Sequence, residues 1–365
     1  MDFDFSPEQQ ELKNAVRQLA ARECVPERLL AWESEPTGVD EATRRRIAEL
    51  GWLGVGVPET AGGTGGSLVD LACLLEECAR GLVPRPIIGA IRTAALLADL
   101  DPNHPLLPAL ARGERTLAVA LDEEQARAPH AYRTEVVSTA AGDVLRGAKA
   151  YVPDAAAADL HLVAAREAGG LSLVLVERSA PGVRLTPLQT FGGDRQAHVA
   201  YDHAPIVGRV GAPGAAEEAL ARAWRRQVAL ALAEMVGGMD AVLEMTVAYV
   251  KEREQFGQKI ALFQAVRHQI ADMGTAYTAA RHLAWQAITR IDAGTEEGTE
   301  LASACAYVGQ AFKRLCWTGH HLHGGAGFVV EHRLRFHSER AQSLCIRYTP
   351  EAPALAEVAR ALLDD

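Results

Sequence analysis

Apolar positions along the chain change their period twice, and each change marks a predicted boundary. From the start to about residue 112 they recur every three or four places. Leu12, Val16, Leu19 and Ala20 share one helical face. Ser6, followed by Pro7 and Glu8, supplies an N-cap and residues suited to a first turn. Asp40 can cap a second helix that stops at Gly51, and a third runs along Leu71, Leu74 and Leu75. Between about Gly113 and Gly211 the period falls to two, as in Thr116-Leu117-Ala118-Val119, Leu160-His161-Leu162-Val163 and Leu173-Val174-Leu175-Val176, with Gly and Pro between the runs. This predicts a small antiparallel β domain. Beyond Pro213 the helical period returns, with Val228, Leu232, Met235, Met239, Val242, Leu243, Thr246 and Val250 on one long face. Phe263, Val266, Ile270 and Met273 begin another, and long helices with wide apolar faces predict a bundle. The fold class expected is α+β, mostly α, over domains 1–112, 113–212 and 213–365.

Composition narrows the function classes. With 48% hydrophobic residues in 365, the chain can bury two or three cores. A net charge of -10 argues against non-specific nucleic-acid binding, and Arg44-Arg45-Arg46 reads as one solvated helix face. No run of about eighteen apolar residues is present, so no membrane span is expected. The acidic opening Met1-Asp2-Phe3-Asp4 lacks the charge pattern of a signal peptide. Six scattered cysteines without a C-x-x-C pair read as reduced core residues, and a cytoplasmic location is expected.

Three glycine-bearing stretches invite a chemical reading. Gly62-Gly63-Thr64-Gly65-Gly66 has no Lys-Ser/Thr after it and no strand before it, so a flexible turn fits better than a phosphate loop. Arg253-Glu254-Gln255-Phe256-Gly257, followed by Gln264, sets a helix end beside a fresh helix start. It could offer an Arg, a Gln and backbone N–H groups to a phosphate-bearing ligand, or simply expose an Arg on a turn. His323-Gly324-Gly325-Ala326-Gly327-Phe328 would let a backbone approach a ligand closely, or be a plain interhelical turn. His320, His321 and His323 lack the carboxylate or Cys that would complete a metal site. His332 and His337 read as surface residues.

Taken together, R-E-Q-F-G-Q-K-I-x-x-F-Q-A-V-x-H-x-x-A-D-M at 253–273 and H-G-G-x-G-F-x-x-E-H at 323–332 resemble the acyl-CoA dehydrogenase family. The opening Phe5-Ser6-Pro7-Glu8-Gln9, Gly51-Trp52-Leu53-Gly54 and Val57-Pro58-Glu59 extend that resemblance over nearly the whole chain. It implies an N-terminal helical domain, a middle β-barrel-like domain and a C-terminal four-helix bundle. It also implies FAD as cofactor, an acyl-CoA thioester as substrate and tetramers with the flavin bound between subunits. The residues implied for the ADP half of FAD are Arg253, Phe256, Gln264 and His321, with Gly324, Gly325 and Gly327 near the pyrophosphate. Electron-transfer flavoprotein is the implied electron acceptor.

The chain departs from the family pattern on the other side of the cofactor. The two positions where the family carries its proton-abstracting glutamate fall on Gln227 and on Tyr348, or Arg347 with a one-residue slip. An amide cannot take a proton at neutral pH and a phenol is a poor base. The flavin-lining Thr-Glu-Pro segment is replaced near Leu121-Asp122-Glu123-Glu124-Gln125, and Trp-Ile-Thr becomes Tyr151-Val152-Pro153. This asymmetry resembles one chain of the α2β2 steroid-degrading acyl-CoA dehydrogenases and predicts a subunit that completes a partner's flavin site. The rival expectations are a self-sufficient homotetramer using Glu234 or Glu351 as base, a flavin oxidase or monooxygenase of the same fold, and a scaffold without flavin.

Overall fold

A computed structural model describes residues 5–125, 131–140, 142–295 and 299–363. Helices precede and follow a central sheet, the mostly helical α+β class that the change of period predicts. Packing divides the chain into two compact units.

The first unit joins residues 1–31, 67–83 and 226–365. It holds helices α1 (Pro7–Glu23), α4 (Leu68–Gly81), most of α7 (Glu217–Glu252), α8 (Gln264–Asp292), α9 (Glu300–His323), α10 (Arg333–Tyr348) and α11 (Glu351–Leu363). Ser6 and Gln9 form a reciprocal capping box at the start of α1, satisfying N–H groups that a helix end leaves open. Where α4 meets α7 the backbones approach so closely that a Cβ on Gly237 would lie 1.9 Å from Glu76 O. Buried charges are paired across this unit. Lys13 Nζ lies 2.8 Å from Glu76 Oε1 and 3.2 Å from Glu77 Oε1, and Trp285 Nε1 donates to Glu76 Oε2 at 2.9 Å. From α10, Arg333 donates to Cys24 O and Gly81 O, and Arg340 to Val83 O, capping carbonyls at the ends of α1 and α4.

His337 lies between those two arginines on α10 and is fully buried, which corrects the surface reading of that residue. Its polar type suggested solvent, but its position four residues after Arg333 and three before Arg340 turns it onto the packed face. All six cysteines are buried and free.

The second unit joins residues 32–66 and 84–225. It contains α3 (Glu41–Glu49), capped by Asp40, then α5 (Arg85–Leu100) and α6 (Leu107–Ala111). Its strands are β1 (Leu117–Ala120), β2 (Glu135–Thr139), β3 (Gly142–Pro153), β4 (Leu160–Glu167), β5 (Gly170–Glu177), β6 (Val183–Leu188), β7 (Gln196–Pro205) and β8 (Gly208–Val210). The sheet order is β6-β7-β3-β2-β4-β5-β8, with β1 also on β4.

The sheet is mixed rather than wholly antiparallel. β1 pairs in parallel with residues 160–163 of β4, and Glu135 of β2 pairs in parallel with Arg166. Two strands thus share successive lengths of one β4 edge, an arrangement that period-two patterning cannot encode because it carries no strand direction. Alternation along β4 sends Leu160, Leu162 and Ala164 into one core and Val163 and Ala165 into another. Buried on both faces, this strand is apolar from Leu160 to Ala165 except at His161, whose buried ring is hydrogen-bonded to Tyr201 and Ala155 O. Among the described residues no helix is long and apolar enough to cross a membrane.

Candidate functional site

Among the described residues of the first unit, the most exposed large apolar side chain sits on a hairpin directly after α7. Strands β9 (Glu254–Gln255) and β10 (Gln258–Lys259) are joined by Phe256 and Gly257, both left-handed at φ +52° and +76°. Two central residues with positive φ make the tight turn whose twist suits a hairpin. Gly257 adopts that backbone freely, whereas Phe256 does so at a steric cost. Phe256 is 93% exposed, with its ring edge-on to Phe263 at 6.2 Å. Ile260 N donates to Arg253 O at 2.9 Å and closes the hairpin, after which α8 starts at Gln264. Arg253, Phe256 and Gln264 are all exposed.

The second predicted stretch lies at the end of α9. Gly324 has φ +57°, and residues Gly324–Phe328 form a 3-10 turn. A Cβ built on Gly324 or Gly325 meets no described atom within 4 Å, so the turn presents bare backbone beside open space. Gly327 is the reverse, since its Cβ would lie 2.9 Å from that of His323. His321 is exposed one turn earlier.

These two stretches meet through residues the motif reading did not single out as a pair. Tyr249, one turn before Arg253, stacks on His323 with ring centroids 4.3 Å apart and planes at 20°. The only sequence signal for it is an aromatic four residues ahead of the Arg. His323 is 4% exposed, and neither of its ring nitrogens has a hydrogen-bond partner. Burial and the neighbouring His332 and His320 push its pKa down to about 4, so the ring is neutral. His320 donates or accepts through Nε2 at Ser338 Oγ, and burial lowers its pKa. Among the described residues no group of three or more His, Cys, Asp or Glu is placed to hold a metal ion.

An exposed guanidinium, an exposed aromatic, an amide and a bare glycine backbone suit the nucleotide half of a dinucleotide. Open space at Gly324–Gly325 leaves room for such a group against the backbone.

The segments implied for the flavin ring belong to the second unit. Tyr151 sits at a β-bulge between Lys149 and Val152, with φ +55°, its ring 5.3 Å from His198. Pro153 pairs with Gln196 and has no N–H to offer. Glu123 is fully engaged: it accepts from Arg133 N at 2.8 Å, Thr134 N at 3.0 Å and Lys149 Nζ at 3.0 Å.

The positions that the resemblance implies for the base lie on α7 and α10. Gln227 is buried at 3% exposure, and Tyr348 is half-buried with its hydroxyl accepting from Arg347 Nε at 3.1 Å. Thr349 Oγ1 lies 4.0 Å from Met235 Sδ, which sets the end of α10 against α7 two turns past Gln227. Glu234 is 6% exposed and acts electrostatically on Arg340, a guanidinium whose pKa burial lowers to about 10. Glu351 is exposed in the first turn of α11.

Residues 6–101 match the family described as acyl-CoA dehydrogenase, N-terminal domain, and residues 224–347 its C-terminal domain. The acyl-CoA dehydrogenase IpdE2 of Mycobacterium tuberculosis is 28% identical over 337 residues, 92% of this chain and 91% of the relative. A structure of a Tcur3481-Tcur3483 steroid ACAD variant is 30% identical, with a TM-score of 0.87 and 98% of each chain covered. The ChsE4-ChsE5 complex from Mycobacterium tuberculosis is 26% identical, with a TM-score of 0.90 over the full length of both chains.

Proposed function

From the premise that this chain belongs to the acyl-CoA dehydrogenase family, whose members are FAD-dependent flavoproteins, we propose that it is the base-free subunit of a two-chain dehydrogenase. In this reading it grips the nucleotide half of a flavin whose ring and catalytic carboxylate belong to a partner of the same fold. The substrate class is an acyl-CoA thioester, and the likeness to a steroid ACAD supports a ring-bearing acyl group.

The observation that carries the reading is an asymmetry. Arg253, Phe256, Gln264 and the Gly324–Gly325 turn stand exposed and ready for a ligand, whereas Gln227 and Tyr348 supply no carboxylate. FAD, when bound, supplies the hydride acceptor for dehydrogenation across the Cα–Cβ bond. This chain's residues bind and orient: Arg253 offers charge-assisted donors to phosphate, Phe256 covers an aromatic face, and Gly324–Gly325 allow close backbone approach. Proton removal from the substrate is left to the partner's carboxylate, because losing a positioned base costs about 10²–10⁴-fold in rate. Neither weak candidate replaces it well: Glu234 lies in the field of Arg340, and Glu351 is solvated. Electron-transfer flavoprotein is the electron acceptor this reading expects.

The test is co-expression with a second acyl-CoA dehydrogenase-like chain encoded nearby, followed by flavin counting and an acyl-CoA oxidation assay. Two FAD per four chains, with activity only in the mixed assembly, supports the proposal. A homotetramer of this chain alone that holds four FAD and turns over acyl-CoA refutes it.

A further inference from the structure

The two arms of the nucleotide clamp have little packing of their own. Every residue from 251 to 259 is exposed, so the hairpin inherits its place from the last turns of α7. Gly324 and Gly325 have no side chains with which to anchor the other arm. The contact that ties the arms directly is the stack of Tyr249 on His323. Tyr249 O accepts from Arg253 N at 2.9 Å, which couples the tyrosine to the hairpin's first residue. His323 immediately precedes the glycine turn. His332 meets the His323 ring edge-on at 4.8 Å and 73°, and its Nδ1 accepts from Leu334 N at the start of α10. Three rings thereby join the end of α7, the end of α9 and the start of α10.

The unpaired nitrogens of His323 identify which property of the ring is used. A buried imidazole with no hydrogen-bond partner costs free energy relative to an apolar ring of similar shape. Because both nitrogens are covered by protein, the ring cannot reach a ligand in the open space without leaving the stack. What it contributes there is a flat face of fixed position against Tyr249.

We propose that the Tyr249–His323 stack is the positioning element of the clamp. It sets the spacing between Arg253 and the Gly324–Gly325 backbone so that one nucleotide engages both. Neither ring contacts the ligand. This rests on the FAD reading above and adds to it the pair that makes the two arms act as one.

The experiment uses the full chain in its FAD-holding assembly, with FAD dissociation followed by flavin fluorescence and ADP as competitor. The thermal midpoint of the FAD-free protein is read in parallel. Tyr249→Ala and His323→Ala should each weaken FAD about tenfold, and the double variant should be little worse than either, because one stack is lost once. His323→Phe keeps a flat ring and removes both unpaired nitrogens, so it should restore wild-type affinity and raise the thermal midpoint. If His323→Ala does not fold, His323→Leu, which fills the volume without a flat ring, replaces it. The proposal is overturned if the ring-less variant binds FAD as tightly as wild type, or if His323→Phe binds as weakly as the ring-less variant. A wild-type assembly that binds neither FAD nor ADP overturns both this proposal and the functional reading beneath it.

Discussion

Lys149 holds its ammonium 3.0 Å from Glu123 Oε1, 2.9 Å from Leu121 O and 3.8 Å from the centre of the Tyr132 ring, with no side-chain exposure. Burial lowers its pKa to about 8 despite the pairing. The pair joins segment 121–125 to β3, the stretches that family resemblance assigns to the flavin ring, and it commits the only buried carboxylate of segment 121–125 to structure. Lys149→Met should leave Glu123 buried with two backbone donors and no cation. Breaking such a pair costs about 3–5 kcal/mol. Urea denaturation should show the midpoint falling with little change in slope, whereas Glu123→Gln, which keeps acceptor and shape, should cost less.

Acid should weaken this protein through its histidines. His161, His320, His323, His332 and His337 all have pKa values lowered by burial, His323 to about 4 and His337 strongly. The unfolded chain takes up protons near pH ~6.5, whereas the folded chain resists until well below that. Stability is therefore present above about pH 6.5 and is lost as pH falls toward 4. Thermal midpoints measured from pH 7.5 to 4.5 should fall steadily, and His337→Phe should flatten the curve.

Phe256 is strained for the sake of an exposed ring. Asn at that turn position tolerates positive φ, so Phe256→Asn should leave the fold intact or stabilise it slightly, by about 0.5–1 kcal/mol. FAD affinity should nevertheless drop, about tenfold, because the aromatic cover is gone. A variant with unchanged FAD retention would remove Phe256 from the clamp.

Gly237 is required by backbone proximity. A methyl at 1.9 Å from Glu76 O cannot be accommodated by a side-chain shift. Gly237→Ala should push α7 from α4 and cost about 1–3 kcal/mol, against a gain of about 0.5–1 kcal/mol expected for the same change in an open helix. Chemical denaturation of the two proteins decides the sign.

The local backbone of the candidate site was legible because its markers are short-range. A helix end, Phe-Gly and a fresh helix start lie within a dozen residues, and a hairpin turn there follows from short-range backbone chemistry. The glycines at 324 and 325 likewise announce bare backbone wherever they fold. The stack of Tyr249 on His323 was not legible, since residues 74 positions apart share no periodicity. His337 was misplaced because residue type says only that a polar group prefers water, not which helical face a neighbour covers.

The amino-acid order alone set the change from helical to strand period and back, the caps at Ser6 and Asp40, and the non-carboxylate residues Gln227 and Tyr348. Those properties depend on residue type and short-range spacing, which no later packing can alter. Tertiary structure alone decided the parallel pairing of β1 on β4, the burial of His337 and the stacking of Tyr249 on His323. Each depends on which distant surface closes over a residue, and that is settled by packing summed over the whole unit.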